Sequence, residues 1–280
     1  MNDFSAASKQ SWSMVAPDWG DLIADIDRQL GRPAQWMIEA VSLQPGEQVL
    51  ELAGGPGTLS LMAADAVGEA GRVICSDFAE PMVDTARHRV EGDGRGNVEC
   101  RVMDAQAIDL PDGVVDVVLC RMGYMLMGDP ATALRESARV LRPGGRLALA
   151  VWSEAAANPW ARVPMAAIVE HLGAPPPPPG SPGLWALADE AELRRLLGDA
   201  GLGDIRTERL DDRVTYDSPE DWLATTARLA GPIRVLFANL DPAGRDAIAA
   251  RVREGAEGYR QPDGRLAVPE QALVATAIKS

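Results

Sequence analysis

VLELAGGPGTLSLMAA, residues 49–64, is the stretch whose reading decides the fold. Val49-Leu50-Glu51-Leu52 has the character of a short buried strand, and Gly54-Gly55-Pro56-Gly57 is compatible only with a tight turn. Residues 58–67 then read as a helix packed back on that strand. Strand, glycine turn and helix start together let a ligand press against bare backbone at a positive helix end. Taken singly, such a turn serves packing as readily as ligand binding, so its neighbours must decide.

Downstream, Val73-Ile74-Cys75-Ser76 reads as a second strand closing at Asp77. A helix over 81–90 turns Met82, Val83, Ala86 and Val90 inward and leaves His88 in solvent. A third strand, 98–102, leads into Asp104-Ala105-Gln106. The fourth, 114–120, is apolar enough to be buried on both faces. Asp129-Pro130 opens a helix with an N-cap and a first-turn proline. Pro143-Gly144-Gly145 stops it before a fifth strand, 146–152. Strands and helices alternating at these intervals specify a doubly wound parallel sheet.

Residues 153–188 break the pattern with one helix (Met165, Ile168, Val169 and Leu172 inward) and five prolines, 175–179, read as a stiff spacer. The alternation resumes with a helix that Asp189 and Glu192 start as a capping box, and a sixth strand, 205–210. Two helices open at Pro219 and Pro242. Asp263-Gly264 then turns the chain into a last strand, 272–278, which lacks a crossover helix and is therefore antiparallel. Upstream, residues 18–40 carry helical periodicity that Gly31 and Pro33 divide into two helices. They precede the glycine turn and can lie over its ligand. Trp12 and Trp19 either close that lid or simply pack.

The expected fold is thus an α/β, mostly parallel, doubly wound sheet of seven strands with an antiparallel last strand. It forms one domain: an N-terminal helical lid (1–45), a ligand-binding core (46–152), a helical cap (153–188) and the rest of the sheet (189–280) with a helical insertion at 218–258.

The net charge of −14 disfavours a nucleic-acid partner, because no basic patch offsets it. Lys9 and Lys279 are the only lysines, which removes phosphate-loop ATPases and pyridoxal enzymes. His88 and His171 are the only histidines, so no multi-histidine metal site is expected. Cys75, Cys100 and Cys120 lie in strand-like runs without paired spacing and read as structural thiols. With no signal-peptide core and no run of membrane-spanning length, a cytoplasmic protein is expected.

Taken as a set, these stretches resemble the Rossmann-like, class I S-adenosylmethionine-dependent methyltransferases, in particular the quinone-biosynthesis C-methyltransferase type and related small-molecule enzymes. The resemblance is carried by VLELAGGPG at 49–57, Asp77 with Met82 five residues on, Asp104-Ala105, DLPDGVVDVVLC at 109–120 and ALRESARVLRPGGRL ending at 147. It implies that Ala53, Gly55 and Gly57 let backbone approach the methionine part of the cofactor. Glu51 would face the ammonium, Asp77 the ribose hydroxyls, and Phe78 and Met82 the adenine. Asp104, Ala105 and Gln106 would border the base, while Arg121 and Met122 would line the path to the acceptor. Glu51 and Ala53 depart from the family's usual aspartate and glycine, and a methyl at Ala53 fits if that residue keeps a negative φ. Individually, Asp77 also suits a helix cap and Met82 plain core.

The resemblance further implies methylation of a small molecule on oxygen or carbon. Met122, Tyr124, Met125, Met127, Trp152, Trp160, Trp185 and Trp222 suit an apolar or aromatic acceptor, though core packing explains several equally well. A base is required only where the acceptor must lose a proton; Tyr124 and His171 are the candidates, with acids such as Glu170. A homodimer is left open. The rivals are a cofactor-binding protein that does not methylate (a cyclase or regulator) and a nicotinamide dehydrogenase, whose third fingerprint glycine is replaced by Ser60.

Overall fold

The computed structural model describes residues 3–173, 178, 180–229, 234, 237 and 240–280. Its centre is a seven-stranded sheet in the order β3-β2-β1-β4-β5-β7-β6. The strands are β1 (Gln48–Glu51), β2 (Arg72–Asp77), β3 (Val98–Val102), β4 (Val115–Arg121), β5 (Leu141–Trp152), β6 (Leu202–Tyr216) and β7 (Leu266–Lys279). The first five pair in parallel, and β7 runs antiparallel between β5 and β6, as expected from its missing crossover helix. The order reverses at β1, which sends its successors to one side and β4 to the other. That reversal opens a crevice at the carboxyl ends of the strands, the usual ligand position in open α/β sheets.

Helices cover both faces: α1 (Asp3–Asp21), α2 (Ile23–Val41), α3 (Thr58–Val67), α4 (Glu80–Asp93), α5 (Pro130–Val140), α6 (Pro159–Leu172), α7 (Glu190–Asp199), α8 (Pro219–Leu229) and α9 (Pro242–Ala256). The cap signals act as read: Asp129 accepts from the Thr132 N–H, and Asp189 from Ala191 and Glu192. The reciprocal half of the capping box does not form, because Glu192 pairs with Arg195 instead. Val49, Leu50, Val73 and the buried run Val117 to Cys120 fill the middle of the core.

The N-terminal helices divide differently from expectation. The break falls at Leu22, and α2 continues unbroken through Gly31 and Pro33. Ile26, Leu30, Ala34, Met37 and Val41 form one buried stripe along it, and burying that stripe outweighs the local penalty of a proline. Proline withdraws a backbone donor from this turn. Arg121 of β4 reaches the same helix, its Nη1 donating to Leu30 O at 3.2 Å.

Strand β5 likewise starts at Leu141 and runs through Pro143-Gly144-Gly145, with a register shift against β4 that absorbs the glycines. In α6 the inner face is Ala161, Pro164, Ala167 and Ile168, whereas Leu172 is exposed. The proline run 175–179 lies, apart from Pro178, outside the described residues.

Helix α1 packs on α4 and α8. Val15 and Ala16 meet Ala79 and Met82, with Trp12, Trp19 and Phe78 at the margin. Trp12 and Trp19 meet edge to face, 5.6 Å between ring centres. Two kinds of contact tie α1 to the end of α8. Trp19 Nε1 donates to Leu229 O at 2.8 Å, and Arg228 pairs with Asp18 at 2.9 Å. Asp18 also pairs with Arg234.

Candidate active site

The loop after β1 is held by its neighbours on both sides. Gly54 N–H donates to Ser76 O at 2.8 Å, and Ser76 Oγ donates back to Glu51 O at 2.7 Å. Gly55 and Gly57 have φ of +52° and +79°, which glycine adopts without steric cost. Ala53 has φ +51°, so the expectation of a negative φ there is corrected. The tight turn demands the left-handed region whether or not a Cβ is present, and alanine is strained in it. Met122, at the end of β4, is also left-handed (φ +59°). Between these two residues lies Gly123, where a Cβ would stand 2.7 Å from the Ala53 Cβ and 2.6 Å from Cys120 Sγ. No side chain fits at that contact.

A cavity of about 160 Å³ opens over this loop, far more than the ~10–15 Å³ that one water needs. Its polar end is made of Ala53, Gly55, Asp77, Asp104, Ala105 and Gln106. Phe78 and Met82 wall it on one side, and Arg121 and Met122 lead out of it. Trp19 forms a roof: its ring lies 3.4 Å from where a Gly55 Cβ would sit.

Asp77 is only 8% exposed, and each carboxylate oxygen accepts one backbone N–H, Gly55 at 3.2 Å and Ala79 at 3.0 Å. Burial pushes its pKa up to about 6 against those two bonds. A carboxylate has about four acceptor directions, so two remain for a ligand. Asp104 Oδ1 accepts from the Gln106 N–H and its side-chain amide, and Gln106 Oε1 accepts from the Asp129 N–H. The Ala105 N–H, in contrast, donates to none of the described residues.

Four expected site residues lie elsewhere. Glu51 is buried beneath Gly54, whose Cβ would come within 3.1 Å of its carboxyl, and it binds Ser60 Oγ. It does not line the cavity, and burial raises its pKa to about 7. Gly57 serves as the left-handed N-cap of α3, packed on Ala86 and Cys75. Tyr124 is fully buried, its hydroxyl 2.6 Å from Ser137 Oγ, so it turns into the core and its pKa rises well above the usual value. His171 is exposed at the end of α6 against Gly244 of α9. Neither candidate base reaches the cavity, because their helical turns point them to α5 and α9.

Of the bulky residues, Met122, Met125, Met127, Trp152 and Trp160 line the far end of the cavity. Trp222 is core instead, stacked on Tyr216 and donating to Trp160 O at 2.7 Å. Sequence reasoning missed Ile26 and Gln29 of α2 and Thr226 and Leu229 of α8, all on the wall. The single signal for Gln29 is a polar residue interrupting the inward stripe of its helix.

This strand order, a glycine turn after β1 and an acid closing β2 define the class: a Rossmann-like, class I S-adenosylmethionine-dependent methyltransferase fold. Residues 49–145 match the family described as a methyltransferase domain. Over 118 residues the chain is 39% identical to the ubiquinone/menaquinone biosynthesis C-methyltransferase UbiE of Hydrogenovibrio crunogenus, covering 42% of this chain and 46% of that one. With UbiE of Cronobacter sakazakii it shares 32% over 164 residues, 55% of this chain and 65% of that one. The matched stretch thus spans about half to two thirds of these relatives' length. Among solved structures, the YcgJ protein of a Bacillus species superposes with a TM-score of 0.60 over 89% of this chain and 98% of that one, at 18% identity.

The residues present fit that cofactor. Two open acceptor directions on Asp77 suit a vicinal diol, and the undonated Ala105 N–H suits a ring nitrogen. Among the described residues Glu51 and Asp77 outweigh the one buried cation, Arg121, which suits a positively charged ligand.

Proposed function

We propose that this protein is a methyltransferase acting on a small apolar or aromatic molecule, at oxygen or carbon. The observation that carries the reading is one continuous cavity, with Asp77 and the glycine turn at one end and Met122, Met125, Trp152 and Trp160 at the other. When bound, S-adenosylmethionine supplies an electrophilic methyl group for in-line displacement.

The chain's own work is to bind, align and exclude water. In this reading Asp77 accepts both ribose hydroxyls, Phe78 and Met82 flank the adenine, and Asp104 and the Ala105 N–H meet its polar edge. Ala53 and Gly55 offer backbone to the methionine portion, and Gln106 holds the Asp104 loop against Asp129. Glu51 acts from beneath the loop through its charge, not by direct contact. Arg121 braces α2 through Leu30 O, and Met122 separates donor from acceptor. Asp77, Asp104 and Arg121 are the ionisable groups among the described residues on the wall, so alignment rather than proton removal is the protein's main contribution.

Residues 1–45 serve as the lid in this proposal, 46–152 as the cofactor core, and 153–188 with 218–258 as the acceptor cover. Among the described residues no helix is long and apolar enough to cross a membrane. A cytoplasmic setting, a small-molecule acceptor and no nucleic-acid partner follow as parts of the proposal, with a homodimer as the assembly to check.

The test is calorimetry with S-adenosylhomocysteine, followed by a mass-shift screen with S-adenosylmethionine against quinones, phenols and polyketides. A gain of 14 mass units (one methyl for one hydrogen) on an acceptor supports the proposal. Tight binding without transfer to any acceptor would favour a non-methylating role, and no binding would refute the cofactor assignment.

A further inference from the structure

Beneath the glycine turn two thiols face each other across the sheet. Cys75 of β2 and Cys100 of β3 are register partners in neighbouring parallel strands, so their side chains leave the same face of the sheet. Neighbouring strands stand about 4.8 Å apart, inside the roughly 4.4–6.8 Å between Cα atoms that a disulfide spans. Both thiols are free. Cys120 has no such partner, because β1 separates its strand from β2.

The surroundings of the two thiols give them different chemistry. Cys100 is half-buried on β3, the edge strand of the sheet, whereas Cys75 is 1% exposed. Contact with Cys75 and the charge of Arg87 hold the Cys100 pKa below that of an ordinary thiol. Contact with Cys100, burial and the charge of Glu51 push that of Cys75 well up. The thiolate is the nucleophile, so Cys100 reacts first and Cys75 stays protonated until it meets a partner. Cys75 also props the turn from below: its Sγ stands 2.9 Å from where a Gly54 Cβ would sit and 3.6 Å from where a Gly57 Cβ would sit.

We propose that Cys100 and Cys75 are a redox modification site, joined into a disulfide by a small peroxide, and that the bond loosens the glycine turn above them. The Cys100 thiolate attacks one peroxide oxygen, and the O–O bond breaks. Hydroxide leaves, takes up the proton the thiol gave up, and Cys100 becomes a sulfenic acid. The Cys75 sulfur then displaces that hydroxyl: the S–S bond forms, the S–O bond breaks, and the Cys75 proton departs with the hydroxyl as a second water. Two thiols are oxidised and one peroxide is reduced. Closing to a bond of about 2.05 Å draws Cys75 Sγ toward Cys100 and away from Gly54 and Gly57. The bridge stands apart from the methyltransferase reading; its effect on ligand binding rests on that reading, in taking the turn as the cofactor loop.

The test uses the full chain, reduced, freed of reductant and exposed to hydrogen peroxide. Intact mass and peptide mapping should show the loss of two hydrogens and a peptide pair joined through Cys75 and Cys100, reversed by dithiothreitol. Cys120→Ser should form the same bridge. Cys75→Ser should stop at Cys100 with one added oxygen, captured by dimedone, and Cys100→Ser should form no bridge. Calorimetry with S-adenosylhomocysteine should give a Kd about five- to tenfold weaker for the bridged protein than for the reduced one, the scale of a vacated methyl-sized space under the turn. Cys100→Ser should keep its affinity after peroxide. Thermal unfolding checks that each variant is folded; if Cys75→Ser is not, wild type against Cys100→Ser carries the test. Added oxygen on wild-type Cys100 with no joined peptide, or an unchanged mass, overturns the site. A bridged protein that binds as tightly as the reduced one overturns the link to the turn. Failure of the reduced protein to bind S-adenosylhomocysteine, with the bridge still forming, instead overturns the cofactor reading and leaves the bridge standing.

Discussion

Replacing Asp77 with alanine is the most direct test of how the crevice holds its cofactor. The carboxylate is buried, and its two oxygens are fixed by the Gly55 and Ala79 N–H groups at 3.2 and 3.0 Å. Asp77 lines the cavity. Removing it takes away charged acceptors from the ribose hydroxyls, a loss of about 1.5–3 kcal/mol, or about 10- to 150-fold in Kd for S-adenosylhomocysteine. A second arm uses pH. Burial sets the Asp77 pKa at about 6 in the free protein, and the diol prefers the ionised form. Lowering the pH from 8 to 5 should therefore weaken wild-type binding by about tenfold through this group. The variant should lose that share of the slope. Calorimetry at several pH values reads both arms. A variant Kd within about threefold of wild type (about 0.65 kcal/mol), or an unchanged pH slope, would refute the assignment.

Three further outcomes are expected. Ala53→Gly should stabilise the protein by about 0.5–1 kcal/mol in urea unfolding, because relief of the left-handed strain (about 1–2 kcal/mol) exceeds the entropy cost of glycine (about 0.5–1 kcal/mol); a loss of stability would contradict this. The ligand-free protein should become less stable as pH rises from 6 to 9. Burial raises Asp77, Glu51 and Glu270 to about 6, 7 and 8, so the stability their protonated forms give is complete below about 4 and lost as pH rises through those values. Glu270→Gln should flatten the upper part of that fall in a thermal-shift series, and a midpoint that climbs over this range would count against it. Tyr124→Phe should cost about 1 kcal/mol of stability and His171→Ala almost nothing, both with kcat intact; a tenfold fall in kcat would return either one to the chemistry.

Much of the core could be read from the sequence because central parallel strands are buried on both faces and appear as continuous apolar runs. That places β1, β2 and β4 without ambiguity, and with them Asp77, Asp104 to Gln106, Arg121 and Met122 at strand ends. The misreadings share a different cause. Gly31 and Pro33 signal a break locally, but the stripe from Ile26 to Val41 is buried by tertiary packing that no local window contains. Glu51 and Gly57 belong to the same loop as true wall residues, yet the alternation of a strand end and a left-handed cap turns them away. Tyr124 and His171 are candidates by their chemistry, and chemistry alone does not reveal which way a side chain points. Gln29 and Thr226 come from helices nearly two hundred residues apart in the chain, and only the folded arrangement brings them together.

The ties between α1 and α8 bear on traffic through the site. Asp18, Trp19, Arg228 and Leu229 latch the N-terminal cover to the one from the C-terminal half. In the proposed function, exchange of spent cofactor is expected to part these contacts, whose ionic half loosens as salt is added. Turnover limited by release would accelerate with ionic strength, even though the chemistry inside is shielded from it.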